Sequence, residues 1–246
     1  MEIDKLKNLL EEFGSNVKFE YDLKKKNWFN IGGKSKVFYK AENLRELVNF
    51  LKKLKNKEKI FILGAGSNTL ISDNLFDGVV IKLSKNFNNI SLHSENTIIA
   101  GSAVLDKSLS DFAMKNNLSG FEFLSCIPGS VGGGITMNAG CFGREFRDIL
   151  LSIQAIDYFG NIITIPSKDI KFEYRKNNLP KELIFLSASF RGVKSDSFKI
   201  NDEIIKLKTE KDKNQPTKIK TSGSTFKNPI SQTKKKDWEL IKESVP

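Results

Sequence analysis

The fold turns on Phe61-Ile62-Leu63-Gly64-Ala65-Gly66-Ser67-Asn68-Thr69. The run Lys59-Ile60-Phe61-Ile62-Leu63 has the length and β-branched content of a buried strand. It ends on two glycines followed by short polar residues. A dinucleotide fingerprint would add a third glycine and an amphipathic helix. Here Thr69 stands in the third glycine's place, and Leu70-Ile71-Ser72-Asp73 does not open such a helix. The Rossmann reading is therefore set aside. What remains is a backbone nest, Gly64 to Asn68, whose N–H groups can cradle a diphosphate without a helix dipole.

The sequence on either side has the strand–helix–strand pattern of an α/β or α+β domain. Ile3, Leu6, Leu10 and Phe13 predict a helix over 3–13, and Leu44, Leu47, Val48 and Leu51 predict a second. Strands are expected at 36–40, 59–63, 79–83, 97–100, 150–157, 161–165 and 183–190. Leu105, Leu109, Phe112 and Ala113 mark a helix ending near Asn116-Asn117, and charged helices are expected at 200–213 and around Trp238–Ile241. A second glycine loop, Ile127-Pro128-Gly129-Ser130-Val131-Gly132-Gly133-Gly134, again offers close backbone approach to a ligand. Gly32-Gly33-Lys34-Ser35 ends like a P-loop, but the first glycine of that motif would fall on Trp28, whose indole cannot make the phosphate-wrapping turn.

Composition narrows the function classes. The apolar fraction of 39% and charged fraction of 28% suit a soluble globular chain. The formal charge of +11 comes mostly from scattered Lys rather than from a stripe of Arg forks with aromatics, which disfavours nucleic acid and suits phosphorylated small molecules. Two cysteines, Cys126 and Cys141, and a single histidine, His93, are too few for a Cys/His zinc site, so no metal is expected. His93 lies in a polar stretch with no nucleophile motif and reads as a surface residue. Few cysteines, no signal-peptide core at Met1–Lys7 and no membrane-length apolar run point to the cytoplasm.

Four blocks in order resemble the UDP-N-acetylenolpyruvoylglucosamine reductase family. Phe61–Asp73, with Asp77-Gly78-Val79-Val80-Ile81, resembles its flavin-diphosphate segment. Gly120–Gly129, Val131–Gly133 and Met137–Gly140 resemble its second flavin-contacting block. Phe172-Glu173-Tyr174-Arg175 looks like its substrate-carboxylate segment, and Gln215-Pro216 with Ser222–Pro229 like its proton-donor segment. The resemblance implies an α+β chain: a two-lobed FAD-binding domain of the vanillyl-alcohol-oxidase type (residues 1–82 and 83–193), then an incomplete α/β substrate domain (194–246). The polar Lys194-Ser195-Asp196-Ser197 marks that boundary. It further implies FAD bound by Leu63, Gly64, Ala65, Gly66, Ser67 and Asn68, and by Pro128, Gly129, Ser130, Gly132 and Gly133.

The implied reaction reduces the enolpyruvyl group of UDP-N-acetylglucosamine enolpyruvate, with NADPH as reductant and FAD between them, in peptidoglycan precursor synthesis. Arg175 would hold the carboxylate and the charge that develops beside it, and Ser224 would donate the proton. Tyr174, Lys227 and Asn228 would contact substrate, and a monomer is expected. Trp28 stands where the family commonly has Thr, and Asn177 where it commonly has Ser. The chain ends at Pro246, before a family segment that carries a catalytic glutamate. The competing expectation is thus a non-catalytic FAD-binding remnant with little turnover, and residues 194–246 are expected to lack packing partners.

Overall fold

The computed structural model describes residues 2–214 and 237–244, without the side chains at positions 214, 237 and 238. The first lobe is built from α1 (Ile3–Leu10), β1 (Val17–Asp22), β2 (Lys34–Ala41), α2 (Leu44–Leu54), β3 (Ile60–Ile62) and β4 (Phe76–Leu83). Its sheet runs in the order β1-β2-β4-β3. β4 is parallel to β2 and β3, and β1 closes the edge antiparallel to β2. Alternation along β2 sends Val37, Tyr39 and Ala41 into one buried layer with α1 and α2, and Phe38 into another with Leu23, Leu63 and Val80. Tyr39 stacks on Phe50 with ring centroids 3.8 Å apart, and Phe13 meets both rings edge-on. Asn43 starts α2 by accepting the Glu46 N–H at 2.9 Å, and Lys55 ends it in the left-handed region, with φ 49°.

The second lobe is an antiparallel sheet flanked by short helices. It contains β5 (Ile90–Ser94), β6 (Thr97–Gly101), α3 (Asp106–Lys115), α4 (Val131–Thr136), β7 (Leu150–Asp157), β8 (Ile162–Pro166) and β9 (Leu183–Arg191). The strand order is β8-β7-β9-β6-β5. Phe121, Phe123, Phe146 and Phe190 meet edge-to-face in its core. Ile156 and Tyr158 of the β7 end, with Ile184 and Leu186 of β9, instead pack into the Tyr39 layer. That shared layer holds the two sheets together.

Several elements differ from the sequence reading, each for a local reason. The expected helix over 3–13 stops at Leu10 and tightens into a 3₁₀ stretch, Glu11–Asn16, around Gly14 at φ 51°. β1 and β5 were not anticipated; both are edge strands, and β5 is exposed at four of its five residues. No helix follows Gly66: residues 63–75 contain neither helix nor strand. That segment lies against Gly32-Gly33, where a Cβ on Gly33 would come within 2.2 Å of the Asp73 carbonyl oxygen. The glycine pair therefore answers a close backbone approach and not a phosphate. The second glycine loop, expected over 127–134, turns at Val131 into the helix α4. His93 is exposed on β5.

α5 (Ser197–Asn214) buries Ile200, Ile204 and Leu207 and packs against α3 and the 3₁₀ turn Glu122–Cys126. The expectation that everything past residue 194 lacks packing partners fails for this helix. α6 spans Asp237–Ser244. Among the described residues, no helix is long and apolar enough to cross a membrane. If α5 is part of the core, Ile204→Ala should lower the unfolding free energy by about 2–5 kcal/mol. Urea denaturation followed by circular dichroism reads this, and a loss within error of zero would mean that the helix is only loosely attached.

Candidate flavin and substrate site

The two glycine loops, carried by different lobes, meet through short side chains. Gly66 has φ 72°, and a Cβ there would lie 2.3 Å from the Lys26 carbonyl oxygen. The Trp28 N–H donates to Gly66 O at 3.0 Å, so residue 28 contributes through its backbone while its indole is half exposed. A Cβ on Gly64 would lie 2.8 Å from the Ser130 hydroxyl, and one on Gly129 would lie 2.7 Å from Asp106 Oδ2. Across the gap the Ser67 hydroxyl donates to the Pro128 carbonyl. Ala65 is partly buried and Asn68 is exposed at the rim, whereas the Leu63 side chain packs away from the loop with Phe38 and Val80.

Gly132 and Gly133 sit in the first turn of α4 and not in an open loop. The Gly132 N–H is already committed to the Ser102 carbonyl at 3.0 Å, and the Val131 N–H to Val104 at 2.8 Å. Only Gly133 is exposed, with the Ser130 hydroxyl 3.6 Å from where its Cβ would be. Gly134 faces the core: a Cβ there would come within 2.2 Å of the Phe146 ring. The run of glycines thus serves two purposes, close packing inward and an open face outward.

The charge around the first loop is positive. Lys82 donates from Nζ to the Gly64 carbonyl at 2.6 Å. Burial, then the nearby charge of Lys26, holds its pKa below the usual lysine range. A cation loosened in this way regains its proton affinity when an anion binds beside it. Asp106, at the start of α3, is fully buried, and neither carboxyl oxygen has a hydrogen-bond partner among the described residues. Burial pushes its pKa well above the ordinary carboxylate range. The Ser102 hydroxyl beneath Gly132 is also without a partner.

Arg175 is carried on a short hairpin that pairs Phe172 with Asn177 and Glu173 with Lys176. Its backbone is left-handed at φ 58°, its guanidinium sits 5.0 Å from the Tyr174 ring centroid, and Nη2 donates to the Gly140 carbonyl at 2.6 Å. The hairpin is tied to the end of α4. Asn177 donates to the carbonyls of Ile135 and Thr136 at 3.0 and 3.1 Å and accepts the Leu179 N–H. The buried Asn138 donates to Glu145 and to the Glu173 carbonyl and accepts the Arg147 N–H. Asn in place of Ser at position 177 is therefore accounted for, because its amide closes the C-terminus of α4. Two free thiols flank this block: Cys141 donates to the Phe123 carbonyl at 3.3 Å, and hydrogen bonding with Cys141 pulls the Cys126 thiol below its usual range.

The structure thus brings Gly64–Asn68, Pro128–Gly133, Tyr174 and Arg175 into one connected region. Ser224, Lys227 and Asn228 lie outside the described residues. Sequence reasoning missed Lys82, Asp106 and Asn138. An acidic residue at a helix start is unremarkable in sequence, and only burial makes it unusual. Among the described residues, no cluster of three or more His, Cys, Asp or Glu could hold a metal.

Comparison with known proteins gives this arrangement its context. A profile described as an FAD binding domain matches residues 35–166. The UDP-N-acetylenolpyruvoylglucosamine reductase of Pelagibacter ubique is 61% identical over all of this chain, which covers 82% of that protein. This chain belongs to the UDP-N-acetylenolpyruvoylglucosamine reductase family. The reductase of Rickettsia typhi is 46% identical over 95% of the chain and 78% of its own length. The crystal structure of the reductase from Thermus caldophilus matches with a TM-score of 0.79 at 28% identity, covering 93% of this chain and 79% of that one. The BBE-like 1 protein of Physcomitrella patens matches 77% of this chain and 44% of its own, with a TM-score of 0.52 at 15% identity, and shows the fold alone. The fold is the two-lobed FAD-binding fold of the vanillyl-alcohol-oxidase type.

FAD fits the residues present. A side chain on Gly66 would strike the Lys26 backbone and one on Gly64 or Gly129 would crowd Ser130 or Asp106, Lys82 and Lys26 supply positive charge, and polar atoms with no hydrogen-bond partner among the described residues lie beneath the second loop. Within this reductase fold, Gly66→Val would force Cβ into the Lys26 carbonyl. Its purified protein should be colourless while keeping the far-ultraviolet circular dichroism of the parent. Full flavin occupancy in that variant would remove the 64–68 loop from the binding site.

Proposed function

We propose that the chain carries out its family's reaction, the NADPH-dependent reduction of UDP-N-acetylglucosamine enolpyruvate to UDP-N-acetylmuramate in peptidoglycan precursor synthesis. The observation that carries this reading is the hydrogen-bonded continuity from the second glycine loop through α4 to Arg175. It sets a carboxylate-binding fork at a fixed position relative to the flavin loops. FAD, when bound, supplies the hydride transfer that links NADPH to the substrate's vinyl ether.

The chain's own residues then have separable tasks. Gly64–Asn68, Pro128–Ser130 and Gly133 approach the cofactor by backbone, and Lys82 with Lys26 offsets diphosphate charge. Arg175 spends one donor on Gly140 and keeps the rest of its planar fork for the substrate carboxylate and the charge that spreads into it. Tyr174, beneath the guanidinium, limits how that fork can turn. Ser224 is assigned the proton given to the substrate carbon, and Lys227 and Asn228 contacts to substrate, on their place in the motif. The chain is read as acting in the cytoplasm, where charged nucleotide reactants are held, and as a monomer without membrane or nucleic acid.

The test is spectroscopic. The purified chain should take up FAD, NADPH should bleach its visible band, and the enolpyruvyl substrate should restore it. A flavin-loaded chain whose band NADPH leaves unchanged would overturn the reductase reading. Arg175→Lys should leave bleaching by NADPH at its parental rate and slow the substrate-dependent recovery by roughly 10²–10³-fold, the size of a lost charge-stabilising donor. Ser224→Ala should slow the same recovery by about 10²–10⁴-fold. Equal recovery rates in variant and parent would take either residue out of the chemistry.

A further inference from the structure

Asp106 is a buried ionisable group that the mechanism above leaves unused. It shows no exposed surface, and among the described residues neither Oδ1 nor Oδ2 has a hydrogen-bond partner. Its position is specific. Oδ2 lies 2.7 Å from the point where Gly129 would carry a Cβ, and the Ser67 hydroxyl lies 3.8 Å from that same point. Its backbone N–H donates to the Gly129 carbonyl at 3.2 Å, and Leu105 bridges to Ser130. The carboxyl therefore stands directly behind the loop junction, and any side chain on Gly129 would strike it.

We propose that Asp106 is a cofactor-positioning residue that works as an uncharged carboxylic acid, backing the 127–130 loop against the diphosphate of FAD. The proposal rests on the flavin reading of the two loops. A carboxylate in this place would be buried without a cation and would face two phosphates across the Gly129 backbone, two costs that both favour the protonated form. The groups around it are neutral: Ser110 on the same face of α3, Ser67 from the first loop, and the Gly129 and Ser130 backbone from the second. Burial alone moves its titration, with no charged side chain contributing. A protonated acid also offers an O–H donor, which a carboxylate lacks, to the loop or to the cofactor that settles on it.

The linkage follows from the sign of the shift. Bound diphosphate raises the Asp106 pKa further. FAD affinity is then constant while Asp106 is protonated in both free and bound protein. It falls as pH rises above the free-protein pKa, by up to about tenfold per pH unit. Lys82 is also loosened and weakens anion binding in the same direction, so the wild-type profile alone does not isolate Asp106. Asp106→Asn does, because it keeps shape and hydrogen-bonding capacity but cannot ionise.

The experiment measures FAD dissociation constants for the full chain and for Asp106→Asn by flavin fluorescence, between about pH 6 and about pH 9.5. The variant should bind FAD within about threefold of wild type at the acid end. At the alkaline end the wild type should fall behind the variant by at least about tenfold. Infrared spectroscopy of the wild type at neutral pH should show a protonated-carboxyl band, a reading that does not depend on the variant folding. Superimposable pH profiles, a variant that loses FAD at the acid end, or absence of the infrared band overturns the Asp106 assignment alone. A wild type that binds no FAD at any pH overturns the flavin reading itself, and with it this role.

Discussion

Ser67 gives its hydroxyl proton to the carbonyl of Pro128, and with that bond two loops from separate lobes are held together. Much of the local sequence follows from that closeness. Gly66 must be bare because the Lys26 backbone occupies the space its side chain would need, while a side chain on Gly64 or Gly129 would make the Ser130 hydroxyl or the Asp106 carboxyl turn aside. Each is a steric demand from a residue of another element. Because the junction consists of main chain and short side chains, it presents N–H groups and little bulk to an anionic ligand.

The junction is stable because each loop is anchored behind. Leu63 and the β4 strand fix the first loop in the Phe38–Val80 layer, and Lys82 holds the Gly64 carbonyl. The second loop continues into α4, whose glycines let it lie on Ser102 and Phe146 and whose last carbonyls are closed by Asn177. Asn138 and the Arg175–Gly140 bond carry that rigidity into the Tyr174-Arg175 turn. A left-handed arginine is a strained conformation, and the surrounding bonds overdetermine it. Fixing a binding group in one orientation before its ligand arrives reduces the ordering cost of binding.

Helix α5 changes how the chain beyond the second sheet is understood. The expectation of a segment without partners rested on a substrate domain cut short at Pro246, yet Ile200, Ile204 and Leu207 complete the outer face of the Glu122–Cys126 turn. Lys211 adds a bond to the Cys126 carbonyl at 2.8 Å, close to the start of the second glycine loop. The helix therefore buttresses the loop from outside, a role that its low amphipathicity conceals.

Much of this architecture is legible in the order of residues. Helical and strand periodicity located nearly all the main elements, because burying one face imposes a spacing that survives without tertiary information. The glycine loops and the Phe172–Arg175 turn were visible because their residue types are constrained by backbone geometry and by charge chemistry. Tertiary structure alone decided which glycines meet core and which meet ligand, that Gly132 stands in a helix with its N–H already taken, and that edge strands β1 and β5 exist. It alone singled out Asp106, Lys82 and Asn138. Their significance lies in desolvation and in partners up to 35 residues away along the chain, and neither burial nor a missing partner leaves a mark on a residue's identity.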